Sequence, residues 1–183
     1  MINDNRISLL FGLPGAGKTT ALTKVLTMLP NLVRLSGGSL IGSELSTAER
    51  DILRKLGADD ILTNQEKLVL NLHSALTQMS GKHVVFDGHC IVKDRTQMLE
   101  IPLSVIGQLC PDKIIFFDVQ PEVIVERRFA DRSRPGREVE TVSDLANNRQ
   151  QQLQLSGQYA IHLNIPFEIA NNEDELVDAL RDT

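Results

Sequence analysis

The chain has 183 residues, of which 42% are hydrophobic, and a formal net charge of −5 at pH 7. The length suits one α/β domain with a full core, and the acidic balance argues against a protein held by bulk charge to a nucleic-acid polymer or a membrane surface. The two cysteines, Cys90 and Cys110, form no CxxC pair, which excludes a zinc site made from cysteine alone. With no apolar run near the ~20 residues of a membrane span and no signal-peptide pattern, we expect a cytoplasmic protein.

The first predicted elements surround a glycine-rich loop. Residues 7–11 are an apolar run that indicates a buried strand, and residues 20–26 indicate a helix. Between them, Gly12-Leu13-Pro14-Gly15-Ala16-Gly17-Lys18-Thr19 has the P-loop pattern of glycine, four residues and Gly-Lys-Ser/Thr. Glycines permit positive φ, so successive N–H groups can converge on one anion, and the helix N-terminus favours the same negative charge.

This loop predicts a site for ATP and Mg²⁺ rather than a plain glycine-rich turn. Lys18 would reach the β- and γ-phosphates, and the Thr19 hydroxyl would hold Mg²⁺. The expected nucleotide-binding residues are Gly12, Pro14, Gly15, Ala16, Gly17, Lys18, Thr19 and Thr20.

The next elements are a second strand and two helices. Residues 32–35 predict the strand, and the turn at 36–39 follows at its carboxyl end, where parallel sheets form their ligand crevice. Residues 46–56 predict a helix that opens with a possible capping box, and residues 57–60 break it. A second helix over about 65–79, capped by the preceding asparagine, has one apolar face.

Strands and helices continue to alternate to the end of the chain. Residues 83–87 predict a buried strand, followed by a loop through Met98 and a helix that begins near Pro102. Residues 113–119 form the most apolar strand, and Pro121 opens the helix after it. The remaining predicted elements are a long helix over about 142–161, a strand at 167–170 and a helix at 174–181. The pattern predicts a P-loop three-layer α/β sandwich with an approximately five-stranded parallel sheet and helices on both faces.

Asp87 ends a predicted strand, the place where P-loop proteins keep the acid that orients Mg²⁺. The alternative is an aspartate that only caps a loop. After Asp87-Gly88, His89 either touches substrate, orients a carboxylate or is an ordinary loop histidine. Asp118, near the end of the most apolar strand, is expected to be structural and bonded to neighbouring backbone.

Arginines cluster after that strand. They are Arg127, Arg128, Arg132, Arg134 and Arg137, with Pro135-Gly136 forming a turn among them. Arginines that close over a transferring phosphoryl group stabilise its charge and exclude water, so residues 131–140 predict a short lid. The alternative is a solvated charged loop. Arg149, in the polar first half of the long helix, either reaches the same phosphates or lies on an exposed polar face.

Several segments resemble the adenylate kinases, most specifically the archaeal type. Val85-Phe86-Asp87-Gly88-His89 is similar to the segment after their third strand, and residues 117–128 are similar to the one that leads into their lid. The resemblance covers nearly the whole chain in order. It implies one P-loop kinase domain over residues 1–183, with an acceptor-binding flap at about 36–79 and a lid at about 131–140.

The resemblance also implies transfer of the ATP γ-phosphoryl group to a nucleoside monophosphate, with Mg²⁺ bound by Thr19 and Asp87. By carry-over, the catalytic residues are Lys18, Asp87, Arg128, Arg134 and Arg137, and the substrate-binding residues are Ser36, Gly37, Gly88, His89, Lys93 and Arg149. Bacterial-type members grip the acceptor phosphate with an arginine where this chain has Ile41. Arg34, Arg50, Arg54 or Lys93 would have to replace it.

Two other functions fit the same motifs. A small-molecule kinase of this fold would use Asp87 as a general base toward a hydroxyl acceptor. An ATP-dependent switch or assembly factor would hydrolyse ATP slowly without an acceptor. For the nucleoside monophosphate kinase and for the small-molecule kinase, the predicted partner is a nucleotide or another small-molecule phosphate acceptor.

Overall fold

The computed structural model describes residues 5–37, 40, 58–93, 98–131 and 140–181, with the side chains of 58–66 and Lys93 outside this description. The strands are β1 (Arg6–Phe11), β2 (Leu32–Ser36), β3 (His83–Asp87), β4 (Ile91–Lys93), β5 (Met98–Glu100), β6 (Lys113–Phe117) and β7 (Phe167–Ala170). The helices are α1 (Lys18–Met28), α2 (Ala58–Thr77), α3 (Leu103–Gln108), α4 (Pro121–Ala130), α5 (Val142–Leu163) and α6 (Glu173–Arg181).

The main sheet has five strands in the order β2-β3-β1-β6-β7, and every neighbouring pair is parallel. This confirms the predicted α/β architecture. The chain leaves β1 toward β2 on one side of the sheet, and it leaves β6 toward β7 on the other. Ligands of parallel sheets bind where neighbouring connections diverge in this way, at the carboxyl ends of the strands. That point lies between β1 and β6, where the P-loop begins.

Each face of the sheet has its own apolar core. Alternate residues of a strand point to opposite faces, so Leu9 and Phe116 pack with α2, α3 and α5, whereas Leu10 and Ile115 pack with α1, α4 and α6. β1 and β6 are apolar on both faces because both faces are covered, which explains why they are the clearest strands in the sequence. The two layers of helices hold the carboxyl ends of these strands in place.

Helix α2 differs from its prediction. It begins at Ala58, so the predicted break over 57–60 is wrong for residues 58–60, and Asn64 lies within the helix instead of capping it. Alanine is the strongest helix former, and acidic residues such as Asp59 and Asp60 are favoured in a first helical turn by the helix dipole. The helix predicted over 46–56 falls outside the described residues.

The predicted loop from His89 to Met98 contains one short strand, β4, and a second, β5, begins at its last residue. β4 and β5 pair antiparallel, with Ile91 opposite Glu100 and Val92 opposite Leu99. Ile91 is 3% exposed and packs into the core, so burial of β-branched side chains stabilises this hairpin.

The other boundaries differ less from the predictions. α5 extends to Leu163 and ends on Asn164 in the left-handed conformation, and β6 ends at Phe117. Pro121 opens α4 as predicted, and both cysteines are free. Among the described residues, no helix is long and apolar enough to cross a membrane.

Candidate functional site

The P-loop has the backbone that its glycines predict. Gly12, Gly15 and Gly17 have φ of 143°, 95° and 90°. At Gly12 a Cβ atom would also lie 2.5 Å from the backbone oxygen of Phe117, because the ends of β1 and β6 approach closely. Gly17 caps α1 without a side-chain hydrogen bond to the helix. The first-turn N–H groups of α1 are therefore directed at the loop, where an anion can accept from them.

Lys18 is folded back onto this loop. Its side chain is buried, and its Nζ donates to the carbonyl oxygens of Gly12 at 2.7 Å and Leu13 at 3.4 Å. Burial lowers the pKa of Lys18 to about 8, and the nearby Asp87 carboxylate partly opposes the shift. A phosphate beside this ammonium would favour its charged form.

Asp87 and Thr19, the two predicted magnesium ligands, are bridged by one side chain, that of Arg34. Its Nη2 donates to Asp87 Oδ2 at 2.7 Å and to Thr19 Oγ1 at 3.0 Å. Asp87 ends β3, and β3 lies between β1 and β2, so the P-loop and Arg34 flank it from both sides. The structure thus brings a hydroxyl and a carboxylate oxygen to one cation.

This arrangement fits Mg²⁺. Hard oxygen ligands suit that ion, which keeps several waters and binds through one or two protein groups together with substrate phosphates. In the part of the chain that the structure describes, no group of three or more histidine, cysteine, aspartate or glutamate side chains could hold a metal. A metal at this position would thus depend on Thr19 and Asp87 together with the nucleotide.

Arg34 is missing from the predicted catalytic set. It is, however, one of the four residues considered as substitutes for the acceptor-phosphate arginine that this chain lacks at Ile41. The available signal was its place inside β2 between Val33 and Leu35, because a charged residue in a strand of apolar neighbours requires a partner. Its pairing with Asp87 spans 53 positions of sequence, so the partner was not evident.

Two arginines from the end of α4 contact the P-loop backbone. Arg128 Nη2 donates to the carbonyl of Pro14 at 2.6 Å, and its Nη1 pairs with Glu140 at 2.5 Å. Arg127 donates to the carbonyl of Ala16. Arg128 thus contacts the P-loop, and its predicted catalytic role stays a prediction, whereas Arg127 was mentioned only as part of the cluster. Two guanidinium groups at this loop add positive charge beside the predicted phosphate position.

Arg149 is paired with Asp118. The guanidinium forms two hydrogen bonds to the carboxylate, from Nε to Oδ1 at 2.5 Å and from Nη2 to Oδ2. The bond to Asp118 also raises the pKa of Arg149. The Asp118 side chain was expected to bond to neighbouring backbone, whereas in the structure its carboxylate accepts from the Arg149 side chain. Whether Arg149 binds phosphate remains a prediction.

The residues after β3 lie beside the end of β1. Gly88 is buried, and its N–H donates to the Leu10 carbonyl at 3.2 Å. His89 is an exposed residue, and desolvation of its ring, followed by the nearby charge of Lys18, lowers its pKa and favours the neutral imidazole.

The remaining predicted residues are partly outside the described chain. Ser36 is in register with Asp87 at the cleft, and Gly37 directly follows it. The side chain of Lys93, together with Arg134 and Arg137, lies outside the described residues, so their roles stay predictions.

Comparison with known proteins is consistent with this geometry. A family model described as an AAA domain matches residues 11–146. The adenylate kinase of Methanoculleus marisnigri is 28% identical over 188 aligned residues, which cover 93% of this chain and 95% of that protein. The thymidylate kinase of Photobacterium profundum is 28% identical over 143 residues, covering 63% and 66%.

Solved structures extend the likeness to the fold. A shikimate kinase from Bacteroides thetaiotaomicron has a TM-score of 0.58, 19% sequence identity and 97% coverage of both chains. The predicted P-loop kinase fold and the predicted resemblance to archaeal adenylate kinases are confirmed. By the match over residues 11–146, the chain belongs to the AAA domain family.

Proposed function

We propose that the chain is an ATP- and Mg²⁺-dependent kinase that transfers the γ-phosphoryl group to a nucleoside monophosphate. The observation that carries this proposal is the convergence of the P-loop, Thr19 and Asp87 on one cation position. The names of the relatives support the nucleotide acceptor, since both an adenylate kinase and a thymidylate kinase are similar to this chain.

The residues of the site divide the work by position. The P-loop amides and the α1 N-terminus bind the polyphosphate, and Lys18 provides a buried cation beside it. Arg128, already bonded to Pro14 and Glu140, connects this loop to the end of the proposed lid at 131–140. Thr19 and Asp87 would hold Mg²⁺, which would supply positive charge against the phosphates. Catalysis by this set is positioning and charge stabilisation, with no covalent intermediate.

The flap over 36–79, the lid and the acceptor residues belong to the proposal. In it, Ser36, Gly37, Gly88 and His89 line the acceptor side, and Arg134 and Arg137 close over the phosphates. The whole chain acts as one kinase domain. A cation bound to Asp87 supports a metal-orienting role for this carboxylate over a general-base role toward a hydroxyl acceptor.

The test is ADP formation from ATP and Mg²⁺ with a panel of acceptors. The panel contains the common nucleoside monophosphates, the parent nucleosides and shikimate, with a reaction lacking acceptor. We expect turnover with at least one monophosphate, and loss of turnover in Lys18→Ala with the fold retained. Arg134→Ala and Arg137→Ala should each lower kcat by about 10³-fold if they act as arginine fingers. Arg181→Ala, at the exposed end of α6, is the matched control.

Three results would contradict the proposal. Turnover only with a hydroxyl acceptor would make the protein a small-molecule kinase. ATP hydrolysis that no acceptor stimulates would indicate a switch or assembly ATPase. Absence of any ATP consumption would refute all three functions.

A further inference from the structure

The position of Arg34 conflicts with that of a bound metal ion. Its Nη2 lies within hydrogen-bond distance of both Asp87 Oδ2, at 2.7 Å, and Thr19 Oγ1, at 3.0 Å. Mg²⁺ binds oxygen at about 2.0–2.1 Å, or through a water of its own shell. A nitrogen that contacts both oxygens fills this space, so the guanidinium and the metal exclude each other.

Charge leads to the same conclusion. The Asp87 side chain is 10% exposed, and the buried Lys18 ammonium is near it, so the region is poorly solvated. The Asp87 carboxylate lies close to the charges of both Arg34 and Lys18. If Arg34 stayed when a divalent ion entered, four positive charges would lie near that carboxylate, and only the incoming polyphosphate could balance the excess. Repulsion in such a region is weakly screened.

Arg34 is also incompletely bonded where it is. Its Nε is buried and has no hydrogen-bond partner among the described residues. An unpaired buried donor raises the free energy of the bridging conformation, which makes release of the guanidinium easier. The side chain is 29% exposed, so solvent already reaches part of it.

We infer that Arg34 is a resident counter-cation at the metal position, which Mg²⁺ must displace when the nucleotide binds. This inference rests on the proposed function, because it assigns a regulator to the same site. In the absence of metal, Arg34 neutralises Asp87 and limits its repulsion of the polyphosphate. In the presence of metal, Arg34 leaves, and its donors become available to another anion. Arg34 thus sets how strongly nucleotide affinity depends on Mg²⁺.

The test measures binding and requires no turnover. The dissociation constant of a non-hydrolysable ATP analogue is determined by calorimetry with Mg²⁺ and with EDTA, for wild type and Arg34→Met. We expect the variant to bind the metal-free analogue about tenfold more weakly, a factor that corresponds to about 1.4 kcal/mol. Its affinity with Mg²⁺ should be unchanged or higher. The dissociation constant with EDTA divided by that with Mg²⁺ should therefore be about tenfold larger in the variant than in wild type.

Further variants separate charge from folding. Asp87→Asn in the Arg34→Met background removes the uncompensated carboxylate and should restore metal-free affinity. Arg34→Gln removes the charge and retains polarity, and it should change the ratio in the same direction if Arg34→Met does not fold. Arg181→Met is the matched control for an arginine far from the P-loop and should leave the ratio at its wild-type value.

The outcomes separate the inference from the proposed function. If the ratio in Arg34→Met is within threefold of wild type, the inference is overturned. It is also overturned if the variant binds the analogue equally more weakly with and without Mg²⁺, because Arg34 would then be a direct ligand of the nucleotide. Failure of the wild type to bind the analogue overturns the proposed function. If none of the acceptors is phosphorylated but the ratio is raised in Arg34→Met, the inference is supported and the kinase activity is refuted.

Discussion

Replacement of Lys18 by methionine should stabilise the nucleotide-free fold while it removes phosphate binding. Lys18 is 6% exposed, and burial lowers its pKa from 10.5 to about 8. One pKa unit corresponds to about 1.4 kcal/mol, so the charged side chain costs the native state about 3 kcal/mol at pH 7. Methionine is of similar length and uncharged, so it removes this cost.

Lost hydrogen bonds reduce the gain. The variant no longer donates to the carbonyls of Gly12 and Leu13, and the shorter of these bonds is worth about 2 kcal/mol because the donor is charged. The expected net stabilisation at pH 7 is therefore about 1 kcal/mol. The pH dependence of this stabilisation tests the reasoning more sharply than its size at pH 7 does.

The sign follows from the direction of the shift. Between about pH 8 and 10.5 the unfolded chain holds a proton on Lys18 that the native state has lost, so wild-type stability rises relative to the variant. The burial cost falls from about 3 kcal/mol at pH 7 to about 1 kcal/mol at about pH 9.5. The stability of Lys18→Met relative to wild type should therefore fall by about 2 kcal/mol over this range, which removes its advantage.

Urea unfolding without nucleotide at both pH values measures this difference. Lys24→Met is the control for loss of a lysine that is not buried, because Lys24 is on the same helix with 64% of its side chain exposed. A Lys18→Met variant that is less stable than wild type at pH 7, or whose advantage is the same at both pH values, would refute the reasoning.

Three further predictions concern the walls of the site. Gly12→Ala should destabilise the fold by about 3 kcal/mol in urea unfolding, because its Cβ would overlap the backbone oxygen of Phe117; a loss below 1 kcal/mol would contradict the close approach. Asp118→Asn should cost about 2 kcal/mol by leaving Arg149 without its carboxylate, and wild-type stability in the double variant with Arg149→Met would confirm the pairing. Arg128→Met should weaken ATP binding about tenfold in calorimetry, whereas an unchanged affinity would assign Arg128 to loop structure alone.

The sequence was informative where the chemistry is local. The P-loop lies within eight consecutive residues, and its glycines are needed at backbone angles that the structure shows. The apolar runs of β1 and β6 identified the centre of the sheet because both of their faces are buried. Where apolar periodicity was weak, as at the start of α2 and in the β4–β5 hairpin, the prediction failed.

Pairings between distant segments were not accessible in the same way. Asp87 was predicted as a metal ligand from its position at a strand end, but the Arg34 bridge depends on β2 lying beside β3 in a particular register. Asp118 and Arg149 were both noted, and only the packing of α5 near the end of β6 made them partners. A linear pattern gives residue types, whereas strand order determines which charges meet.

The sequence by itself determined the phosphate-binding loop, the alternation of strands and helices, and the acid at the end of β3, since each depends on residues close together in the chain. Only the tertiary structure decided that β3 lies between β1 and β2, and hence that Thr19 and Asp87 both bond to one cation, the Arg34 guanidinium. The physical reason is that backbone conformation and burial pattern are short-range, whereas the pairing of charges depends on which strands become neighbours when the core packs.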